Sequence, residues 1–143
     1  MSSSQAIELL TFDVGGTMVG LDIRMIQEIT KVSGMTTTPK TPGYIEGIIN
    51  LRGNVVTIVN LGKKMGLEPV KKKKLNTVII TSADDELIGL MIDEIHTVIQ
   101  SNTADFDSPP SNRNGAQKNY FKGVLKRKDL LVGILEAKIL FNL

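Results

Sequence analysis

The chain has 143 residues, 17 of them basic and 15 acidic, with one histidine and no cysteine. This length fits one domain or two small lobes with a proper hydrophobic core. The lack of cysteine excludes disulfides and thiolate metal sites, and a net charge of +2 is far below that of a dedicated nucleic-acid-binding protein. Because the sequence also lacks a long apolar run and a signal-peptide pattern, we expect a soluble intracellular protein.

The first part of the chain alternates short apolar strands with turn signals. Residues 7–14 are predicted to form a strand that returns, after a glycine pair, through residues 17–22. From Ile23 the apolar residues fall at helical spacing, which fits either a single helical turn or a bulged strand. Residues 36–43 contain two prolines and are predicted to be an irregular loop.

The most informative stretch is a β-hairpin predicted over residues 44–61. Two alternating, β-branched runs flank Arg52-Gly53-Asn54, and the glycine accepts the positive φ that a tight turn requires. Because side chains alternate along a strand, Arg52 leaves the sheet at a fixed angle. After the hairpin we predict a short helical turn at residues 62–66 and a polar linker at residues 67–74.

The second half of the chain follows the same plan. Strands are predicted at residues 75–81 and 87–92, and the apolar series continues to Ile99. Residues 101–119, rich in Ser, Asn, Asp and Pro, form the longest predicted irregular segment. A second hairpin follows, and residues 136–143 are predicted to form a short helix.

Internal self-similarity relates the two halves. The hairpins match at an offset of 76 positions, and the strands that precede them match at an offset of 69. The equivalent segments are 120–125 with 44–49, 131–135 with 55–59, and 87–92 with 18–23. A unit of about 70 residues is therefore duplicated, and Ile26 and Ile95 are equivalent positions.

These patterns predict a mostly β fold. A duplicated unit of four or five strands is most simply a pair of small closed barrels packed side by side, because closure removes exposed sheet edges. We predict subdomains over residues 7–66 and 75–143, joined by residues 67–74. The sequence leaves open whether terminal strands are exchanged between them.

The sequence shows no catalytic or cofactor-binding pattern. His96 is the only histidine, which excludes a multi-histidine metal site, and it is expected at the surface of a strand or turn. The acidic clusters at residues 84–86 and 93–94 are typical of turns, and no glycine pattern matches a phosphate-binding loop. We therefore predict a non-enzymatic binding protein without a cofactor.

Several motifs resemble the CheW family, the adaptor proteins of bacterial chemotaxis. The matching residues are Pro42, Tyr44, Gly47, Asn50-Leu51-Arg52-Gly53, Gly20-Leu21-Asp22-Ile23, Ile26-Gln27-Glu28-Ile29 and Ile88-Gly89-Leu90-Met91-Ile92-Asp93. The resemblance covers nearly the whole chain. It departs at Thr57, Asn60 and Glu136, where the family usually has Pro, Asp and Asp.

The resemblance implies two SH3-like β-barrel subdomains and a specific pair of partners. These partners are the cytoplasmic hairpin tip of a chemoreceptor and the CheW-like regulatory domain of a histidine kinase. The protein would then associate with the membrane only indirectly, through receptor arrays. The implied receptor-binding residues are Ile26, Glu28, Arg52, Ile95 and Val98. Gly47 and Gly89 lie in segments that the resemblance ties to kinase binding.

Two alternatives remain at this stage. Small β-barrels with lysine runs, here at residues 71–74, can bind nucleic acid, although no aromatic residue is placed among these lysines for stacking. The chain could instead be a CheW-like module of a different signalling assembly.

Overall fold

A computed structural model of the protein describes residues 4–108 and 120–140. Within these ranges ten strands form two five-stranded sheets, which confirms the mostly β prediction. The strands are β1 (Ala6–Val14), β2 (Thr17–Asp22), β3 (Ile26–Val32), β4 (Ile45–Leu51), β5 (Asn54–Asn60), β6 (Asn76–Ala83), β7 (Glu86–Ile92), β8 (Glu94–Asn102), β9 (Phe121–Arg127) and β10 (Leu130–Leu135). The short helices are α1 (Leu61–Lys64) and α2 (Ala137–Leu140), with single 3₁₀ turns at Ile23–Met25 and Thr103–Asp105.

The two sheets have the same plan. The first has the strand order β8-β1-β2-β10-β9 and the second the order β3-β6-β7-β5-β4. If β1 to β5 are equated with β6 to β10, the two orders become identical. In each sheet one inner pair is parallel, β2 with β10 and β5 with β7. The duplication seen in the sequence is therefore a duplication of sheet topology.

The sheets do not coincide with the predicted subdomains, 7–66 and 75–143. Each sheet combines two strands from one half of the chain with three from the other. More than a terminal strand is therefore exchanged between the two halves. The chain leaves the first sheet through the 3₁₀ turn Ile23–Met25 and returns to it at Asp93, whose N–H donates to the carbonyl of Asp13 at 3.0 Å. An alternating pattern specifies the buried face of a strand but not its partner, which is why the sequence did not predict this pairing.

Among the described residues, one isolated bridge joins the two edges of each sheet. Thr36, beyond the end of β3, exchanges two main-chain hydrogen bonds of 3.0 and 2.9 Å with Ile48 of β4. Asp107, beyond the end of β8, does the same with Val124 of β9 at 2.8 and 2.9 Å. Both sheets are thus strongly curled, while their closure into barrels stays a prediction.

The main hydrophobic core is shared by the two sheets. Phe12 and Leu21 of the first sheet and Ile58 and Leu90 of the second belong to one cluster and are at most 1% exposed. A smaller cluster, which includes Leu9, lies within the first sheet. Because full burial of such a side chain contributes about 1.5–3 kcal/mol, the shared cluster fixes the sheets against each other.

The predicted linker has no regular secondary structure, but it is packed against the second sheet. Val70 is 3% exposed. Glu46, which is 6% exposed, accepts a hydrogen bond of 3.1 Å from Lys63 Nζ and lies 3.5 Å from Lys72 Nζ. One lysine of the 71–74 run, together with Lys63, therefore forms an ion pair with a buried carboxylate.

Helix α2 begins where the C-terminal helix was predicted. Residues 141–143 of that helix and residues 109–119 of the long predicted loop lie outside the described residues. In the part of the chain that the structure describes, no helix is long and apolar enough to cross a bilayer.

Candidate partner-binding site

Arg52 and Glu28, which the resemblance implies as receptor contacts, form an ion pair. Glu28 is on edge strand β3, and Arg52 begins the turn after β4, the opposite edge of the same sheet. The curl of the sheet brings them together, and Arg52 Nη2 donates to Glu28 Oε1. The Arg52 side chain is 68% exposed and Glu28 is 26% exposed, so the guanidinium is oriented from one side and open to solvent on the other.

The backbone of the β4–β5 turn fixes the direction of the arginine. The turn has two residues, Arg52 with φ of +51° and Gly53 with φ of +86°. Positive φ at both positions matches the twist of the flanking strands. The Gly53 N–H also donates to Asn50 Oδ1 at 2.9 Å. The predicted glycine turn is confirmed, whereas the positive φ of Arg52 was not foreseen, since an arginine rarely adopts it.

The apolar candidates lie on both sheets. Ile26 and Ile95 are half-buried, and both pack against the shared core cluster. Each stands beside a bulge, in β3 between Ile26 and Glu28 and in the pairing of β8 with β1. Val98, on β8, is 45% exposed. The two isoleucines are thus equivalent in structure as well as in sequence, and each leaves part of its side chain at the surface.

Gly47 and Gly89, the candidates for kinase binding, are both buried. A Cβ at Gly47 would lie 2.5 Å from the carbonyl oxygen of Thr36, at a φ of +156°. A Cβ at Gly89 would lie 2.7 Å from both Ile58 Cδ1 and Val78 Cγ1. These glycines permit close packing inside the second sheet, so any role in kinase binding would act through the shape of β4 and β7.

A further ion pair lies where the chain passes between the sheets. Asp22 is 9% exposed. It accepts hydrogen bonds from the Arg24 N–H at 3.0 Å and from Arg24 Nη2 at 2.7 Å. Burial raises the pKa of Asp22, but the hydrogen bonds and charge of Arg24 outweigh burial and hold the pKa below its usual value. The signal for this pair in the sequence is an aspartate and an arginine two positions apart.

His96 is exposed on β8, as predicted. Its Nε2 lies 2.8 Å from Asp13 Oδ2, so it pairs with the strand beside it. Among the described residues, no group of three or more His, Asp or Glu side chains could hold a metal ion.

Comparison with known proteins identifies the family of this chain. The CheW-like domain family matches residues 8–143. The chain is 31% identical to chemotaxis protein CheW of Treponema pallidum, over 98% of this chain and 85% of that protein. It is also 31% identical to chemotaxis protein CheW of Helicobacter pylori, over 95% of this chain and 82% of that protein.

A solved structure shows the same fold. The scaffolding protein CheW of Thermoanaerobacter tengcongensis superposes with a TM-score of 0.82 at 30% identity, covering 92% of this chain and 85% of that one. The chain therefore belongs to the CheW family, and its function is that of a chemotaxis adaptor.

Proposed function

We propose that this protein is a non-enzymatic cytoplasmic adaptor that binds the hairpin tip of a chemoreceptor and the regulatory domain of a histidine kinase. Through the receptor it would be recruited to arrays at the membrane. The observation that supports the receptor side is the exposed guanidinium of Arg52, held in one direction by Glu28.

The chemistry of this site suits a helical partner. A guanidinium is planar and has five N–H donors, which match a carboxylate or carbonyl oxygen of the partner. We assign the apolar part of the contact to Ile26, Ile95 and Val98, because an amphipathic helix presents apolar and polar side chains together. The receptor hairpin tip would then contact both sheets.

We assign kinase binding to the segments that contain Gly47 and Gly89. Both glycines are buried, so we expect them to determine the shape of the contact surface and not to touch the partner. Gly89→Ala should weaken binding to the kinase regulatory domain and leave receptor binding unchanged. An equal loss of kinase affinity and receptor affinity would indicate general disruption of the fold.

The receptor site is tested by titrating a receptor-tip fragment into the wild-type protein and into Arg52→Ala. We expect the variant to bind at least about tenfold more weakly, because a charge-assisted contact of roughly 1.5–3 kcal/mol is removed. Lys40→Ala is the matched control, since Lys40 is an exposed cation whose φ of +61° resembles that of Arg52. Unchanged affinity of Arg52→Ala, or equal weakening by Lys40→Ala, would contradict the assignment.

A further inference from the structure

The second hairpin presents a cation at the position that Arg52 occupies in the first. The offset of 76 positions places Lys128 on Arg52. Both residues begin a two-residue turn, and their φ angles are +53° and +51°. The side chain of Lys128 therefore leaves the first sheet in the way that Arg52 leaves the second.

The position equivalent to Glu28 does not carry a carboxylate in the first sheet. The offset of 69 positions places Thr97 on Glu28. The main chain of Thr97 is bonded to Thr11 Oγ1, which accepts from its N–H at 3.2 Å and donates to its carbonyl at 2.8 Å. Within residues 4–108 and 120–140, Lys128 has no anionic partner. The first sheet thus repeats the cation of the Arg52–Glu28 pair but has a threonine at the position of its anion.

An apolar cavity opens next to this cation. It has a volume of about 350 Å³ and lies between β8 and the β9–β10 turn, with both Thr97 and Lys128 at its lining. Its apolar walls are Met18, Ile99, Leu130 and Val132. A volume at the lower end of the range for ligand sites can accept one or two side chains but not a large cofactor.

The rim of the cavity is basic. Arg127 lines it and donates from Nη2 to the carbonyl of Gln100, which ties the β9–β10 turn to β8. His96 also lines it and is paired with Asp13. None of the described residues that line the cavity is acidic. The site therefore combines an apolar interior with positive charge that lacks a counter-charge at its lining.

We propose that this cavity is a second docking site, which binds a protein segment that carries an apolar side chain next to a carboxylate. The apolar side chain would fill the cavity between Ile99 and Leu130, and the carboxylate would pair with Lys128 at the rim. The charge complementarity selects this occupant over a wholly apolar one. Because none of the residues that line the cavity is among those proposed to contact the receptor or the kinase, and the test uses neither partner, its outcome is independent of the receptor and kinase experiments.

The test uses two small probes, N-acetyl-Leu-Glu-amide and N-acetyl-Leu-Gln-amide, which differ only in charge. Each is titrated to about 20 mM into isotopically labelled protein, because ligands of this size bind in the millimolar range. The readouts are the Met18 methyl and Thr97 amide resonances. We expect both to shift saturably with the Glu probe, at an affinity about fivefold higher than for the Gln probe.

Variants separate the two parts of the site. Lys128→Gln should remove the preference for the Glu probe, whereas Lys126→Gln, which changes an exposed neighbour outside the cavity lining, should keep it. Leu130→Ser should weaken the binding of both probes. Its effect on the free energy of unfolding should be small, because Leu130 is 53% exposed.

The proposal is overturned if the two resonances do not shift. It is equally overturned if both probes bind alike, or if Lys126→Gln removes the preference as Lys128→Gln does. Shifts of the same resonances with protein concentration alone would assign the cavity to a second copy of the chain, and would also overturn the proposed occupant.

Discussion

The side chain of Asn60 is hydrogen-bonded twice to the main chain of Val70. Asn60 Nδ2 donates to the Val70 carbonyl at 2.9 Å, and Asn60 Oδ1 accepts from the Val70 N–H at 3.0 Å. Oδ1 also accepts from the Lys63 N–H at 3.2 Å, at the start of α1. One buried amide therefore holds the linker and caps a helix, which requires a donor and an acceptor on the same side chain.

This relationship predicts that Asn60→Asp destabilises the protein, although the family usually has Asp at this position. The change would remove the donor to the Val70 carbonyl and place a carboxylate where Asn60 is 1% exposed. We expect the free energy of unfolding at pH 7 to fall by about 2–3 kcal/mol in urea denaturation. Asn54→Asp, at an exposed position, is the control and should change it by less than about 0.5 kcal/mol. Equal effects of the two changes would contradict the role of the amide.

The contribution of Arg52 to receptor binding should be separable from its effect on the free energy of unfolding. Glycine accepts the φ of +51° without penalty, so Arg52→Gly should keep the free energy of unfolding within about 1 kcal/mol of wild type even without the ion pair. Arg52→Val should lower it by roughly 1–2 kcal/mol, because a β-branched residue is strained at positive φ. Both variants should lose receptor binding. A variant that keeps receptor affinity would show that the guanidinium is not the contact.

The tight packing at Gly89 predicts a specific coupling with Ile58. Gly89→Ala should destabilise by about 1–3 kcal/mol through overpacking, because its Cβ would lie 2.7 Å from Ile58 Cδ1. Ile58→Val removes that Cδ1 atom and alone should cost about 0.5–1.5 kcal/mol. The double variant should be more stable than the sum of the single changes predicts, as measured by a double-mutant cycle in denaturant. Strict additivity would rule out this contact as the cause.

The Asp22–Arg24 pair predicts a defined dependence of stability on pH. The pKa of Asp22 lies below 3.8, the usual value for an aspartate side chain. The folded state therefore gains stability from this group above pH of about 4, and loses it as the pH falls through the unfolded pKa towards the folded one. In Arg24→Gln this contribution should be missing, so the stability difference from wild type should be constant near pH 7 and shrink below pH of about 4. A difference that stays the same from pH 7 to pH 3 would contradict the lowered pKa.

The hairpins and their turns could be predicted because their signals are local. Alternating β-branched residues and turn glycines specify β4 and β5 within a few residues, and the repeat offsets specify their equivalents in the other half. The pairing of β1 with β8 and of β3 with β6 could not be predicted, because these partners are distant in sequence and period-two patterns fit many of them.

The environment of Glu46 is a second feature that could not be predicted from the sequence. Strict alternation of side chains along β4 would place Glu46 on the same face as Arg52, which is exposed. A bulge between Ile45 and Gly47 interrupts the alternation there. Glu46 is consequently buried and paired with lysines from α1 and the linker. Bulges depend on tertiary contacts and leave little trace in a single sequence.

The membership of the candidate site comes from the family resemblance and stays a prediction, whereas its geometry comes from the structure. The resemblance implied that Glu28 and Arg52 share a function, yet their positions give no sign of a direct contact between opposite edges of one sheet. In the sequence, Lys128 is one of three consecutive basic residues, 126–128, which are typical of a solvated turn. Its equivalence to Arg52 becomes meaningful once the two φ angles and the neighbouring cavity are known.

The most direct test of the adaptor account is sedimentation velocity with a receptor-tip fragment and a kinase regulatory domain. We predict that the kinase domain sediments with the receptor fragment only when this protein is added, and that Arg52→Gly abolishes this ternary complex while preserving the binary complex with the kinase. A kinase domain that never joins the receptor fragment, at concentrations where each binary interaction is saturated, would contradict the bridging function.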